Sequence, residues 1–252
     1  MPKIVSIHSF RGGTGKSNTS ANLAVILAME GKRVGVVDTD IQSPGIHVLF
    51  NLNEDDMKYS LNDYLWGKCP IKDAAYDVTD NQGPGIKGKI FLVPSSIKTG
   101  EIARILKESY DVGMLNDGFH DLIEDLNLDV LVIDTHPGLN EETLLSIAIS
   151  DALIIVMRPD QQDIQGTSVT VEVARKLDVA RIMLVVNKTP QIWNFDDVKS
   201  RMEQTYNCVV AAILPHSDEL MTLASEGVFA ARYPDHEITT KLRKAARLVL
   251  DD

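Results

Sequence analysis

Residues 11–17 read Arg-Gly-Gly-Thr-Gly-Lys-Ser, and they closely follow the apolar run at residues 4–7. This order predicts a strand, a glycine-rich loop and the first turn of a helix, which together form a phosphate cradle. Glycines lack a Cβ atom, so the backbone N–H groups of such a loop can converge on phosphate oxygens without steric cost. Lys16 supplies a positive charge to the outer phosphates, and Ser17 supplies a hydroxyl ligand for Mg²⁺. The helix adds the positive end of its dipole at the same place.

The loop departs from the common P-loop pattern, Gly-x4-Gly-Lys-Ser/Thr. Phe10 stands where the first glycine of that pattern would fall, and a cation, Arg11, precedes a glycine pair. In this the loop resembles the deviant Walker A loop of the MinD/ParA ATPases, Lys-Gly-Gly-x-Gly-Lys-Ser/Thr, with Arg11 in place of the first lysine. The resemblance covers almost the whole chain and implies ATP as the nucleotide. The loop residues that it implies as nucleotide contacts are Gly12, Gly13, Thr14, Gly15, Lys16, Ser17 and Asn18.

Composition bounds the class of protein. The chain has 252 residues, 44% of them hydrophobic and 24% charged, and we expect one domain over residues 1–252. The net charge of −11 disfavours nucleic-acid binding by overall charge. Cys69 and Cys208 form no Cys-x-x-Cys pair, so we expect no disulfide framework or cluster site, and a reducing cytoplasm. The first residues lead straight into a strand and no apolar run reaches bilayer length, so we expect neither a signal peptide nor a membrane span.

Apolar runs of strand length alternate with amphipathic segments along the chain. Predicted strands cover residues 3–9, 33–37, 89–93, 130–133, 152–157, 181–186 and 209–214. Predicted helices cover residues 16–30, 101–109, 118–126, 141–149, 164–177, 195–206, 218–226 and 237–250. Several strands are continuous Val, Ile and Leu runs, which is typical of strands buried on both faces of a parallel sheet. The sequence therefore predicts an α/β fold, a doubly wound, mostly parallel sheet with helices on both faces and ligands at the carboxyl ends of the strands.

Three aspartates follow predicted strands at this edge. Asp38 and Asp40 can flank a Mg-triphosphate, although alone the pair also fits a polar turn. Asp134 ends an apolar run in the manner of a Walker B strand, and a hard cation prefers carboxylate and water oxygens. By the family resemblance, Ser17, Asp38 and Asp134 hold Mg²⁺ or its water shell, and Asp40 orients or deprotonates the attacking water. His136, in the following turn, is interpreted as a surface or packing residue.

Two further strand ends are predicted to lie beside the nucleotide base. Asn187 ends a strand with an amide that can donate to and accept from an adenine edge, and Pro215 ends the next strand. The family resemblance assigns both to the base, although two ordinary strand ends explain them nearly as well. Residues 187–190 read Asn-Lys-Thr-Pro and lack the aspartate of the guanine-specific Asn-Lys-x-Asp signature, which favours ATP.

Arg11 bears on the oligomeric state. In the resembled family the first lysine reaches across a nucleotide-sandwich dimer to the partner's phosphate. Arg11 carries a planar fork that is always protonated and can do the same. We therefore expect a homodimer on ATP, with Arg11, Lys16 and Asp40 as catalytic residues. The bulkier fork leaves open a looser dimer with a different turnover.

The resemblance also implies a cellular role. The family uses slow ATP hydrolysis, stimulated by a partner protein, to position a plasmid, chromosome origin, division site or flagellum. The predicted C-terminal helix carries Arg243, Lys244 and Arg247, which, doubled by dimerisation, can meet DNA phosphates without sequence preference. The same residues also suit a structural helix with a solvated basic face. We rank nucleoid DNA above a membrane, because the chain lacks the extra basic amphipathic tail of MinD, and expect a cytoplasmic, nucleoid-associated protein.

Two other functions stay open. One is a nucleotide-binding switch with little or no hydrolysis, and the other is a membrane-associated, MinD-like regulator of cell division. A metal-cluster carrier of the same superfamily would need paired cysteines, which this chain lacks.

Overall fold

The computed structural model describes residues 1–108 and 110–251, and within them eight strands form one sheet. The strands are β1 (Lys3–His8), β2 (Arg33–Asp38), β3 (Tyr76–Asp77), β4 (Lys89–Val93), β5 (Val130–Asp134), β6 (Ala152–Met157), β7 (Arg181–Thr189) and β8 (Val209–Pro215). Their order across the sheet is β3-β4-β2-β5-β1-β6-β7-β8. Among these strands only the short edge strand β3 runs antiparallel to its neighbour. The predicted doubly wound, mostly parallel α/β fold is confirmed.

Helices cover both faces of the sheet. They are α1 (Lys16–Met29), α2 (Ile46–Leu49), α3 (Leu61–Leu65), α4 (Thr99–Lys107), α5 (Gly113–Leu126), α6 (Glu141–Ala148), α7 (Gln161–Lys176), α8 (Phe195–Tyr206), α9 (Asp218–Leu223), α10 (Phe229–Arg232) and α11 (Glu237–Leu250). On one face α1 packs against β5, and Val130 and Val132 belong to a core shared with α10 and α11, whereas on the other face α5 packs against β5 in a core that includes Leu131 and Ile133. Because successive side chains of a strand point to opposite faces, burial of both faces accounts for the unbroken apolar runs.

α1 is the central helix, and it fixes the glycine-rich loop. Its residues 19–28 are all buried, because α1 contacts the strands β1, β2, β4 and β5 as well as the helices α10 and α11. A helix buried all round needs no amphipathic pattern. Its N-terminus lies at the carboxyl edge of the sheet, directly after β1 and the loop. A rigid, buried helix therefore presents its positive end where the strand-end aspartates gather.

Some element boundaries differ from the predictions. α7 begins at Gln161, before the predicted residue 164, because Asp160 caps it by accepting from the backbone N–H groups of Gln162 and Asp163. That first turn is polar, so it carries no apolar periodicity. α5 begins at Gly113, whereas the prediction started at 118. The last residue of the predicted helix 101–109, Ser109, lies outside the described residues. The elements α2, α3, α10 and β3 were not predicted, since two to five residues are too short for a periodic signal.

Candidate functional site

The glycine-rich loop joins β1 to α1 at the carboxyl edge of the sheet. Gly13 and Gly15 have φ angles of 77° and 96°, in the left-handed region that favours glycine. Gly15 is the N-cap of α1, and no described side chain caps this helix end. A Cβ atom at Gly15 would also lie 2.4 Å from the Asn187 Nδ2 atom. The first N–H groups of α1 are therefore available to an anion.

Phe10 replaces the first glycine of the common P-loop pattern, and the fold accommodates its ring on α7. A Cβ atom at Gly166 would lie 2.0 Å from Phe10 Cδ1, so the ring packs directly on the backbone of α7. Sequence analysis missed Gly166, because nothing in its local pattern distinguishes it from an ordinary helical glycine.

Lys16 is the buried cation at the centre of the site. Its Nζ atom lies 3.0 Å from Asp134 Oδ1 and 3.8 Å from Asp40 Oδ2. The Ser17 hydroxyl is 3.5 Å from the same nitrogen. Lys16 is only 7% exposed, so its charge depends on these acidic partners. The structure thus brings together four predicted site residues from α1, the end of β5 and the segment after β2.

Asp38 lies beside Asp134, because the parallel strands β2 and β5 place these two residues in register. It is fully buried, and its carboxylate oxygens accept from the backbone N–H groups of Asp40, at 3.0 Å, and Gly45, at 3.3 Å. Burial, together with the charge of Asp134, holds the pKa of Asp38 well above its usual value, and Lys16 opposes this rise. Three carboxylates therefore share one lysine, which leaves a site suited to a further cation.

The donor set fits Mg²⁺ that arrives with a nucleotide. The described residues contain no group of three or more His, Cys, Asp or Glu side chains that could hold a metal ion by themselves. Mg²⁺ usually keeps several waters and binds through one or two carboxylates plus substrate phosphates. Ser17 would be its direct protein ligand, and Asp38 and Asp134 would hold its waters.

A cavity of about 290 Å³ lies beside Gly15. The predicted base contacts Asn187 and Pro215 both line it, as does Asn18, which was predicted as a nucleotide contact of the loop. Its apolar walls come from the end of β8 and from α9 and α11, and they include Leu214, Leu220, Met221, Ile238 and Leu242. Apolar walls with a few amides suit a flat heteroaromatic ring.

The amide of Asn187 braces the glycine-rich loop in this structure. Its Nδ2 atom donates to the Thr14 carbonyl oxygen at 2.8 Å, and its Oδ1 atom accepts from the Lys188 N–H group at 2.8 Å. The Lys188 ammonium donates to the Gly13 carbonyl oxygen at 2.8 Å. The strand end predicted to contact the base therefore also holds the loop in shape.

Arg11 lies on the outer side of the loop and contacts α7 of its own chain. Its guanidinium donates to Gln162 Oε1 and lies 3.7 Å from Asp163 Oδ1. Asp163 is buried and is also held by Arg158, at 3.0 Å. The Arg11 side chain is 41% exposed. The sequence did not predict the contact with Gln162, which joins residues far apart in the chain.

Two histidines border the acidic cluster, and sequence analysis assigned neither to the site. His136 Nδ1 lies 2.6 Å from Asp40 Oδ1. His8, at the end of β1, is fully buried, with Nδ1 2.8 Å from Thr135 Oγ1. Burial, with a contribution from the charge of Lys16, lowers the pKa of His8 to about 3. No local pattern in the sequence marked either histidine as part of the site.

The predicted basic face lies on α11. Arg243 donates to the Pro234 carbonyl oxygen at 3.1 Å, and Arg247 Nε lies 3.4 Å from Glu30 Oε1. Lys244 is exposed, whereas the apolar side of the helix is buried in the core. Nowhere in residues 1–108 or 110–251 is a helix long and apolar enough to cross a membrane.

A parallel sheet, a glycine-rich loop carrying a buried lysine, and aspartates at the ends of β2 and β5 define a P-loop nucleotide-binding protein. The family model described as an AAA domain matches residues 2–186. An uncharacterised ATP-binding protein of Methanocaldococcus jannaschii is 30% identical over 251 residues, covering 99% of this chain and 88% of the relative.

Solved structures agree with this class. The cell division ATPase MinD of Pyrococcus furiosus superposes with a TM-score of 0.81 at 23% identity and covers 99% of both chains. The septum site-determining protein MinD of Pyrococcus horikoshii, complexed with Mg-ADP, gives a TM-score of 0.80 at 22% identity, with 99% of this chain and 96% of that one covered. The chain belongs to the MinD/ParA family of P-loop ATPases, as its glycine-rich loop predicted.

Proposed function

We propose that the protein is a Mg²⁺-dependent ATP-binding and ATP-hydrolysing switch that dimerises on ATP and positions a cellular cargo. The observation that carries this proposal is the buried Lys16 ammonium, held by Asp134 and Asp40 beside an uncapped helix N-terminus and a cavity of about 290 Å³. The similarity to a MinD structure complexed with Mg-ADP supports it.

Each residue of the acidic cluster has a role in this proposal. Lys16 and the first N–H groups of α1 bind the outer phosphates. Ser17 would bind the metal directly, and Asp38 and Asp134 would hold its waters. Mg²⁺, when bound, neutralises phosphate charge. Asp40 orients the attacking water, because phosphoryl transfer needs chiefly positioning and charge.

The cavity takes the adenine base. Its apolar walls cover the ring faces, and Asn18 and the Asn187 amide lie at its edge. The Asn187 oxygen accepts from the Lys188 N–H group and keeps a second lone pair, which can accept from an adenine amino group. That acceptor favours adenine over guanine, which carries a carbonyl oxygen at the corresponding edge.

The proposed dimer needs Arg11 to change partners. In this structure it contacts Gln162 and lies near Asp163, and the side chain is exposed. Exposed contacts of this kind are worth about 0–1 kcal/mol. A charge-assisted contact with a phosphate of the second protomer is stronger. Arg11 can therefore leave α7 once a partner brings its nucleotide near.

ATP binding and phosphate release by the full chain test the proposal. Lys16→Ala should lose Mg-ATP binding in calorimetry, because the phosphates lose the cation of the loop. Asp40→Ala should keep ATP binding, release phosphate about 100-fold more slowly, and accumulate as an ATP-bound dimer in light scattering. Lys176→Ala, an exposed lysine on α7, is the matched control. Micromolar ATP binding by Lys16→Ala, or normal turnover by Asp40→Ala, would contradict the assignment.

The contact between Arg11 and Gln162 favours a second candidate, a nucleotide-binding switch with little turnover. If Arg11 stays on α7, the transition-state charge lacks its trans partner. That candidate predicts ATP binding without measurable phosphate release, in the presence or absence of DNA.

We take DNA as the surface that the dimer binds in the cytoplasm, together with a stimulating partner protein. The apolar side of α11 is buried in the core, so this helix cannot insert it into a membrane, whereas Arg243, Lys244 and Arg247 lie on the outer side. Fluorescence anisotropy with a non-specific duplex should show ATP-dependent binding that weakens steeply with salt. Binding to anionic vesicles without binding to the duplex would favour the MinD-like alternative.

A further inference from the structure

His136 lies within hydrogen-bond distance of the Asp40 carboxylate. It follows β5 by two residues, in the turn that begins Thr135-His136-Pro137-Gly138. Its Nδ1 atom lies 2.6 Å from Asp40 Oδ1, the shortest polar contact that this carboxylate makes with the described residues. The His136 side chain is 23% exposed and the Asp40 side chain 11% exposed. The contact therefore lies largely out of water, where a hydrogen bond to a carboxylate is strong.

The backbone on both sides of His136 is held against the end of β1. The Thr135 N–H group donates to the Ile7 carbonyl oxygen at 3.2 Å, and the Gly138 N–H group donates to the Ser9 carbonyl oxygen at 3.1 Å. The Thr143 hydroxyl donates to the carbonyl oxygen of His136 itself at 3.3 Å. These three bonds fix the backbone that carries the ring beside Asp40.

The two carboxylate oxygens of Asp40 have different surroundings. Oδ1 accepts from His136 Nδ1 and, at 3.2 Å, from the Ser43 N–H group. Oδ2 lies on the other side, 3.8 Å from the Lys16 ammonium. An ionised carboxylate only accepts hydrogen bonds, so the imidazole must carry its proton on Nδ1. Oδ1 is therefore hydrogen-bonded to protein groups, and Oδ2 faces the lysine that is proposed to bind the phosphates.

We propose that His136 is a positioning residue for ATP hydrolysis: its Nδ1–H group fixes the plane of the Asp40 carboxylate so that Oδ2 receives the attacking water. The inference rests on the proposed hydrolysis and deepens it. In that step the water oxygen bonds to the terminal phosphorus, and the bond from this phosphorus to the bridging oxygen breaks, with the electron pair leaving on ADP. The proton that water loses passes to Oδ2. In this proposal His136 acts through Asp40 alone.

A pair of substitutions separates positioning from packing. His136→Asn keeps an N–H donor close to the place of Nδ1, whereas His136→Leu keeps a similar volume without a donor. We expect the leucine variant to lose about 10- to 100-fold in kcat with KM within about 2-fold, and the asparagine variant to recover most of this loss. His120→Leu, an exposed histidine on α5, is the matched control. A leucine variant with the parent's kcat, or an asparagine variant as slow as leucine, overturns the inference.

A second measurement does not depend on turnover. Long-range ¹H–¹⁵N correlation spectra of the folded chain report which ring nitrogen of His136 carries the proton. We expect the Nδ1–H tautomer in the parent protein and its loss in Asp40→Ala. A parent protein that shows this tautomer but hydrolyses no ATP would refute the proposed function and leave the contact standing. A ring protonated only on Nε2 would refute the positioning role even if ATP is hydrolysed. The spectrum of the parent protein also tests this role if His136→Leu does not fold.

Discussion

Lowering the pH should destabilise this protein through His8, a histidine that the fold buries completely. Its Nδ1 atom lies 2.8 Å from Thr135 Oγ1, and its Nε2 atom has no hydrogen-bond partner among the described residues. Burial first, and then the charges of Lys16 and His136, lower the pKa of His8 from 6.5 to about 3. In the unfolded chain the ring is in water and binds a proton at its ordinary pKa. Between these two values the unfolded chain binds more protons, so the free energy of unfolding falls as the pH falls.

The size of the effect follows from the shift. Each pH unit between the two pKa values changes the free energy of unfolding by about 1.4 kcal/mol. From about pH 6.5 to about pH 4.5 the contribution of His8 should therefore fall by about 2–3 kcal/mol. This is a large part of the total stability of about 5–15 kcal/mol that is ordinary for a folded domain.

Urea unfolding followed by circular dichroism, from about pH 7.5 to about pH 4.5, measures this loss in the parent protein and in His8→Asn. All other titrating groups are common to both proteins, so the difference between their stabilities isolates His8. That difference should move toward the variant by about 2–3 kcal/mol over this range. His120→Asn, on the exposed side of α5, is the control for the loss of an imidazole ring. Parallel curves for the parent and His8→Asn would refute the reasoning.

Three further predictions concern the glycine-rich loop. Gly15→Ala should lower the free energy of unfolding, measured in urea, by about 1–3 kcal/mol. The reason is that φ is 96° at this position and the new Cβ atom would lie 2.4 Å from the Asn187 amide nitrogen. Gly12→Ala is the control and should be tolerated, because no atom of the described residues beyond its chain neighbours lies within 4 Å of its Cβ position. Gln162→Ala should lower the dimer dissociation constant, measured by sedimentation with a non-hydrolysable ATP analogue, about 2- to 10-fold, because it removes the contact that holds Arg11 on α7. Gln161→Ala is the control. An unchanged dissociation constant in Gln162→Ala would show that this contact does not hold Arg11 back. Arg11→Ala should bind nucleotide normally but fail to dimerise in light scattering, and Arg11→Lys should dimerise; an alanine variant that dimerises like the parent would exclude the trans-phosphate role.

The fold was predictable from the sequence wherever burial leaves a continuous trace. β5 reads as an unbroken apolar run because Val130 and Val132 face one helical layer while Leu131 and Ile133 face the other. The candidate site was predictable for a related reason. Parallel strands end at the same edge, so polar residues that follow apolar runs gather there, and Asp38 and Asp134 lie in register on neighbouring strands.

Contacts between side chains that are distant in the chain could not be predicted from the sequence. Neither the contact of Arg11 with Gln162 nor that of His136 with Asp40 leaves a local pattern, since each joins separate segments at the sheet edge. The start of α7 was missed for another reason: its cap, Asp160, and its polar first turn lie outside the apolar stripe that marks a helix. Hydrophobic periodicity reports burial, and these features depend on polar geometry.

The acidic cluster links metal binding to nucleotide binding. Asp40 and Asp134 contact one ammonium, that of Lys16, and Asp38 lies beside them, where burial and then the charge of Asp134 raise its pKa. A nucleotide that draws Lys16 toward its phosphates removes the positive charge of this lysine from the carboxylates, so a second cation must replace it. Mg²⁺ bound to the phosphates supplies two charges at that place. We therefore expect neither Mg²⁺ alone nor ATP alone to bind well. ATP without Mg²⁺ leaves the carboxylates without a neighbouring positive charge, and Mg²⁺ without ATP lacks the phosphate ligands.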